Sequence, residues 1–269
     1  MRQALAFATH RFAFSATPRL DAELLMAHAL SITREALLLG RLDDPVPPAF
    51  AVLVERRAAH EPVAYLTGVR AFWTVELAVG PGALVPRADS ETLIEAAIAH
   101  FATRAPTRML DLGTGPGTLL LAALDQWPGA TGLGIDASSD ALAYARVNAA
   151  ALGLAARVAW RLGDWATGVD ERFDLVLANP PYIGADEPLP PEVRDHEPAV
   201  ALFAGADGLD AYRALVPQLS RLLAPGGVAC LEIGATQELA VVALVRATGL
   251  GATVRRDLGG RDRCVVVTA

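Results

Sequence analysis

The sequence predicts an α/β protein: a doubly wound, mostly parallel sheet of seven strands with a small helical domain at its N-terminus. Three observations carry this. From residue 108 onward, apolar runs of strand length alternate with helical stretches, the signature of successive βαβ units. The last two strand-like runs are separated only by a short turn at Gly259-Gly260, so they pair antiparallel. The N-terminal residues carry helix-start signals instead of strand alternation. The resulting division is a helical bundle over 1–70, a β-hairpin connector over 71–87 and the main α/β domain over 88–269.

Composition sets limits on this reading. The chain has 269 residues, 53% hydrophobic and 20% charged, which describes a globular protein with a large core. Its two cysteines, Cys230 and Cys264, lie far apart and fit no metal-ligand spacing, so no metal site is expected and both read as reduced core thiols of a cytoplasmic protein. No apolar run reaches membrane-spanning length, so no membrane partner is expected. All 23 basic residues are Arg. Residues 1–75 hold 8 Arg against 7 acids, a net +1, while the remainder holds 15 Arg against 23 acids, a net −8. A duplex-DNA binder usually shows a basic face, and the larger part here is acidic, which weighs against nucleic acid as the main partner while leaving room for a local basic patch.

Taken in order, Thr17-Pro18 starts a helix, with Thr as N-cap and Pro in the first turn. In the run that follows, Leu20, Leu24, Ala27 and His28 share one face, with Leu25 at its edge, and His28 reads as a core-edge residue. Ser31 and Pro47-Pro48 open further helices, the latter running through Leu53 and Arg57. This block is either a stability cap on the main domain or a partner-docking module. In the connector, Phe72–Val79 is strand-like, and Gly80-Pro81-Gly82 is expected to turn it into a second strand, Ala83-Leu84-Val85. Asp89 or Ser90 then caps a helix. Strands are expected near 108–112, 131–136, 156–161, 173–178, 227–233, 252–256 and 263–268. Helices are expected near 116–126, 138–152, 207–223 and 235–248.

Four strand ends carry the chemistry. Asp111-Leu112-Gly113-Thr114-Gly115-Pro116-Gly117 leaves the first sheet strand and opens a helix, so a ligand can approach the backbone there. The spacing departs from the dinucleotide fingerprint, because Thr118 stands next to Gly117 and the third glycine comes early. Asp111 would repel a pyrophosphate and accept a cation. Asp136 ends the next strand, where an acid accepts from ribose hydroxyls, or caps the helix beyond it as Ser138 also can. Asp164, in Gly163-Asp164-Trp165, is placed to accept from an exocyclic amine while Trp165 packs nearby; an ordinary turn is the alternative. Together these acids describe a nucleoside ligand without phosphates and with a positive centre, which S-adenosylmethionine fits. The fourth strand ends in Asn179-Pro180-Pro181-Tyr182, a stiff turn poor in N–H donors and rich in acceptors. Such a turn suits an NH2 group that must be held still.

On these residues the chain resembles a class I methyltransferase, and more narrowly the HemK/PrmC family, the glutamine methyltransferases that act on peptide chain release factors. The resemblance runs through Leu20–Leu25, Tyr65-Leu66-Thr67-Gly68, Val85–Glu91, the glycine loop, Gly163-Asp164-Trp165 and Asn179–Ile183. It continues in Gly205–Asp210, Tyr212-Arg213, Glu232-Ile233-Gly234 and Asp262-Arg263. The chain departs from the family at Ala88-Asp89-Ser90, where Pro-Glu-Thr is usual, and at Ala204, where Gly is usual. The resemblance implies methyl transfer to the amide nitrogen of the glutamine in the Gly-Gly-Gln motif of release factors; a monomer is expected. A glutamine of a ribosomal protein or adenine in DNA are the rival acceptors; the acidic balance argues against DNA. Asn179, Pro180 and Tyr182 would be catalytic, with the Asn179 side-chain oxygen and the Pro180 carbonyl gripping the substrate NH2. Pro181 and Tyr182 would wall the pocket, and Arg87 would bind substrate or pair with an acid. Glu192, Asp195, His196 and Glu197 lie in a loop that either contacts substrate or is solvated, and Glu232 reads as the end of a core strand.

Overall fold

In the computed structural model, which describes residues 1–269, the chain divides into two units: Met1–Val69 with Leu189–His196, and Arg70–Pro188 with Glu197–Ala269. The first unit is helical. Its helices are α1 (Arg2–Arg11), α2 (Pro18–Ala29), α3 (Arg34–Gly40), α4 (Pro48–Ala58) and α5 (Val63–Thr67). They enclose Leu5, Phe12, Leu25, Met26, Leu37 and Phe50. Pro18 and Pro48 stand in the first turns of α2 and α4, where a missing N–H costs nothing. The buried face of α2 is not the expected one. Ala22, Leu25, Met26 and Ala27 are buried, whereas Leu20 is 37% exposed and His28 faces solvent. Two acids decide the rotation. Asp21 Oδ2 accepts from Arg57 Nε and Nη2 at 3.0 and 2.8 Å, and Glu23 accepts from Arg19 and Arg34, so both turn inward with their partners. Arg57 Nη1 also donates to Glu192 Oε2 at 2.7 Å. That contact explains why residues 189–196, distant in sequence, belong to this unit.

The second unit contains the sheet. Ahead of it, β1 (Val69–Phe72) and β2 (Val75–Ala78) form a two-stranded ribbon. The expected hairpin is thus displaced. The reversal lies at Trp73-Thr74, with Trp73 at φ 53°, and Ala83–Val85 forms no strand. Gly80-Pro81-Gly82 does turn the chain, with Ala83 N–H donating to the Gly80 carbonyl at 3.1 Å and Gly82 at φ 92°, but no strand follows it, and the two glycines also serve close approach. A Cβ at Gly80 would sit 2.3 Å from Tyr144 Oη, and one at Gly82 would sit 3.3 Å from Asp140 Cβ.

A 3₁₀ turn over Ala88–Ser90 leads into α6 (Glu91–His100), and neither Asp89 nor Ser90 caps it through its side chain. The sheet then follows as β3 (Arg108–Leu112), β4 (Thr131–Asp136), β5 (Val158–Leu162), β6 (Phe173–Ala178), β7 (Leu223–Glu232), β8 (Gly251–Arg256) and β9 (Asp262–Thr268). Its order is β5-β4-β3-β6-β7-β9-β8, with β9 antiparallel to both neighbours and the other pairs parallel. The inner strands are apolar on both faces because helices cover both sides: Met109, Leu110, Leu112 and Leu175–Ala178 are fully buried. Helices α7 (Thr118–Gln126) and α8 (Ser139–Ala151) link the first three strands. The helix expected over 207–223 is broken into Asp210–Leu215, a 3₁₀ turn at Val216–Gln218 and Leu219–Leu222, since Pro217 has no N–H for the ladder. No helix is long and apolar enough to cross a membrane.

Candidate active site

The chain leaves β3 in opposite directions, to β4 on one side and eventually to β6 on the other. A crevice opens at such a reversal, beyond the carboxyl ends of the strands. Register brings those ends level: Leu112 pairs with both Ile135 and Ala178. The residues that follow, Gly113, Asp136 and Asn179, therefore meet at one rim.

The glycine loop is fixed by its own backbone. Gly113 and Thr114 N–H donate to the Ile135 carbonyl at 2.9 and 3.0 Å, and Gly113 adopts φ 71° to make this turn. Gly115 N–H donates to Asp136 Oδ2 at 2.7 Å, while Asp136 Oδ1 accepts from Ser138 N–H at 2.8 Å. Asp136 is not the helix cap; Ser138 Oγ takes that role by accepting from Ala141 N–H. Burial raises the Asp136 carboxyl above its ordinary range, against the backbone N–H groups of Ser138, Gly115 and Ala137. Gly117 stands apart from the ligand-facing residues. It sits at φ 86° before α7, and a Cβ there would press on Leu121 at 2.8 Å and Trp160 at 3.1 Å. Its role is to let the helix start against Trp160.

Asp111 is 1% exposed. Thr114 Oγ1 donates to its Oδ2 at 2.6 Å, and its Oδ1, equally buried, has no partner. Burial pushes this carboxyl up to about 7. An unpaired carboxylate oxygen in such a place is costly unless a ligand donates to it.

A cavity of about 300 Å³ occupies the crevice. Of the residues singled out from the sequence, it is bordered by Asp111, the loop from Gly113 to Pro116, Asp136, Asp164, Trp165, Asn179, Pro181 and Arg87. Gly117, Pro180 and Tyr182 are not among its lining. Pro180 is buried. Tyr182 does not wall the cavity: its ring packs on the sheet core and its hydroxyl donates to Glu232 Oε1 at 3.4 Å. Burial and the Glu232 charge hold the Tyr182 hydroxyl well above its usual range. Arg87 borders the cavity and pairs with Glu197, whose other oxygen accepts from Val85 N–H at 3.1 Å. Glu197 is thereby a fastening for the Val85–Arg87 strap and not a solvated loop residue.

Two residues at the site carry more than the sequence assigned them. Ser90 borders the cavity, accepts from Asn179 Nδ2 at 3.2 Å, and donates to Glu232. Glu232 is 1% exposed, and burial pushes it up to about 7. The available signal was a lone acid closing an apolar strand, Val228–Ile233.

The sequence comparisons agree with this architecture. A profile described as "PrmC N-terminal domain" matches residues 3–68, and one described as "Methyltransferase domain" matches residues 104–249. The chain is 45% identical over 257 residues to a release factor glutamine methyltransferase of Caulobacter vibrioides, covering 93% of this chain and 89% of that one. It is 49% identical over 253 residues to the protein of that name from Cereibacter sphaeroides, covering 91% and 89%. It is 41% identical over 278 residues to that of Mycolicibacterium smegmatis, covering 100% and 97%. Among solved structures, a ribosomal protein L11 methylase of Lactobacillus delbrueckii superposes with TM-score 0.53 at 22% identity, over 71% of this chain and 83% of that one. An rRNA N2 G1207 methyltransferase of T. thermophilus, in complex with AdoMet and guanosine, gives TM-score 0.53 at 19% identity, over 74% and 49%. These structural likenesses show the class I methyltransferase fold, whose members use a methyl-donor cofactor. With 41–49% identity to such relatives over nearly its whole length, the chain belongs to the release factor glutamine methyltransferase family.

Proposed function

We propose that the chain transfers a methyl group from S-adenosylmethionine to the side-chain amide nitrogen of the glutamine in the Gly-Gly-Gln motif of a peptide chain release factor. The observation that carries this is the meeting, in one cavity, of the unpartnered Asp111 Oδ1 with the Asn179 amide, whose Nδ2 is already tied to Ser90. The first calls for a cationic donor; the second leaves an acceptor for an NH2.

The residues present fit the donor. Asp111 Oδ1 would take the cationic end of the cofactor, Asp136 has lone pairs left for ribose hydroxyls, and Asp164 beside Trp165 borders the space for a base. When bound, the cofactor supplies an electrophilic methyl on a sulfonium. Everything else falls to the chain. An amide nitrogen is a weak nucleophile because its lone pair is delocalised into the carbonyl, and no His lies beside the turn to act as base. Asn179 Oδ1 accepts from the substrate NH2, which aims the nitrogen at the methyl and makes positioning the main source of rate. Formation of the N–C bond would break the sulfonium S–C bond, leave a neutral thioether and release one amide proton. A pocket poor in water favours the loss of sulfonium charge.

The test is transfer of labelled methyl to a purified release factor, beside a copy whose Gly-Gly-Gln glutamine is changed. Label in the first and none in the second is expected. Label in neither, with cofactor bound, overturns the acceptor. Asn179→Ala is expected to abolish transfer while leaving the cofactor dissociation constant nearly unchanged; parallel loss of both by calorimetry would sink the assignment of Asn179.

A further inference from the structure

Resting on that reading, we propose that Ser90 is a positioning residue, and that ionised Glu232 behind it decides which way round the Asn179 amide stands. Three side chains form a line from the core to the cavity. Glu232 lies at the carboxyl end of β7, Ser90 in the turn before α6, and Asn179 at the end of β6. Ser90 Oγ donates its one proton to Glu232 Oε2 and accepts from Asn179 Nδ2 at 3.2 Å. A hydroxyl has one donor. While Glu232 is a carboxylate, which can only accept, that proton is committed to it. Ser90 can then offer Asn179 only a lone pair, so Asn179 must turn its NH2 to Ser90 and its Oδ1 away. The side-chain oxygen required by the substrate NH2 is thus chosen two residues away, in the core.

The direction of the line reverses on protonation. A protonated Glu232 donates to Ser90, and the Ser90 proton is freed to point at Asn179. The favoured amide then places Oδ1 on Ser90 and turns NH2 outward, donor against donor. The groups around Glu232 set where this happens. Burial raises its carboxyl to about 7, while the Ser90 hydroxyl, the Arg263 charge and the Tyr182 hydroxyl oppose the rise, and Asp89 adds to it. Arg87 faces Tyr182 from the strap, and the buried Cys264 thiol stands across the ladder on β9. Tyr212 Oη bonds the Glu232 backbone carbonyl at 2.8 Å and leaves the carboxylate alone.

The test measures kcat at saturating cofactor and release factor between about pH 6 and 8.5 for the full chain and for Ser90→Ala, Ser90→Thr and Glu232→Gln, with cofactor affinity by calorimetry for each. Wild-type kcat is expected to fall as pH drops through about 7, with one proton's steepness. Ser90→Ala is expected to lower kcat about tenfold at high pH with the cofactor constant within about twofold, and to lose the pH step, because one net hydrogen bond orients the amide. Ser90→Thr restores the hydroxyl and should recover most of kcat and the step. Glu232→Gln, whose NH2 donates to Ser90, should resemble a permanently protonated Glu232. Ser90→Ala with wild-type kcat and an unchanged step overturns the relay, and that pair decides even if Glu232→Gln does not fold. A wild type that labels no glutamine would instead overturn the function itself.

Discussion

At the scale of single residues, charge and solvation decide most of what the site does. Asp111 is buried with one oxygen unpaired, so a cationic ligand both partners that oxygen and favours the ionised carboxyl. Asp111→Asn keeps the shape and removes the charge. Its expected effect is a loss of S-adenosylmethionine affinity of about ten- to a hundredfold, the worth of a hydrogen bond to a charged group. The sign of the pH dependence follows. Below its raised value near 7 Asp111 holds a proton that the cation must expel, so wild-type affinity should tighten from about pH 6 to 8, and the variant should be flat. Calorimetry checks both, and equal slopes for the two proteins would remove Asp111 from the cofactor site. Asp111, Asp136 and Asp164 were legible in the sequence because an acid at a strand's end has one place to go. The pairing of Ser90 with Glu232 was not, since their hydrogen bond spans 142 positions and a lone acid closing an apolar strand does not name its partner.

At the scale of elements, Asn148 on α8 is an unforeseen fastening. It is 2% exposed and accepts from Ala78 N–H at 2.7 Å through Oδ1. Its Nδ2 donates to the Ala78 and Pro116 carbonyls at 3.1 and 2.9 Å. One side chain thereby ties β2, α8 and the glycine loop. Asn148→Ala is expected to cost about 2 kcal/mol or more in urea unfolding, because partners are left unsatisfied in a buried place. It should also weaken cofactor binding by releasing the loop at Pro116; an unfolding midpoint equal to wild type would show that water replaces all three bonds. The displaced hairpin teaches a related lesson. Gly80-Pro81-Gly82 is a stronger local turn signal than Trp73-Thr74 and does turn the chain, but no strand returns from it, and its glycines also meet Tyr144 and Asp140 on α8. Packing demand and turn demand write the same letters. The same ambiguity hid the face of α2, where the inward acids Asp21 and Glu23 outweighed the apolar Leu20 once Arg57, Arg19 and Arg34 were near.

At the scale of the whole molecule, Asp111 and Glu232 both hold raised carboxyls near 7, and Asp136 is raised in the same sense. A raised folded value contributes stability below the unfolded value of about 4 that is lost as pH rises through the folded one. The carboxylates lowered by Arg partners, Glu23, Asp43, Asp195 and Asp207 among them, act in the opposite direction only as pH falls below about 4. Thermal melting of the unliganded chain should therefore drop between about pH 5 and 8, and Glu232→Gln should remove part of that slope. A melting temperature that climbs across the window would contradict the burial of these acids. The sequence by itself determined the seven strands, the antiparallel last pair, the helical N-terminal unit and the cluster of strand-end acids. It could do so because period, turn chemistry and strand-end position are local properties of a chain. Only the tertiary structure decided that residues 189–196 join the helical unit, that Tyr182 turns to the core, and that Ser90 and Glu232 stand behind Asn179. Those arrangements depend on which side chains meet across hundreds of bonds of chain, and on a buried polar group's need for a partner wherever the fold supplies one.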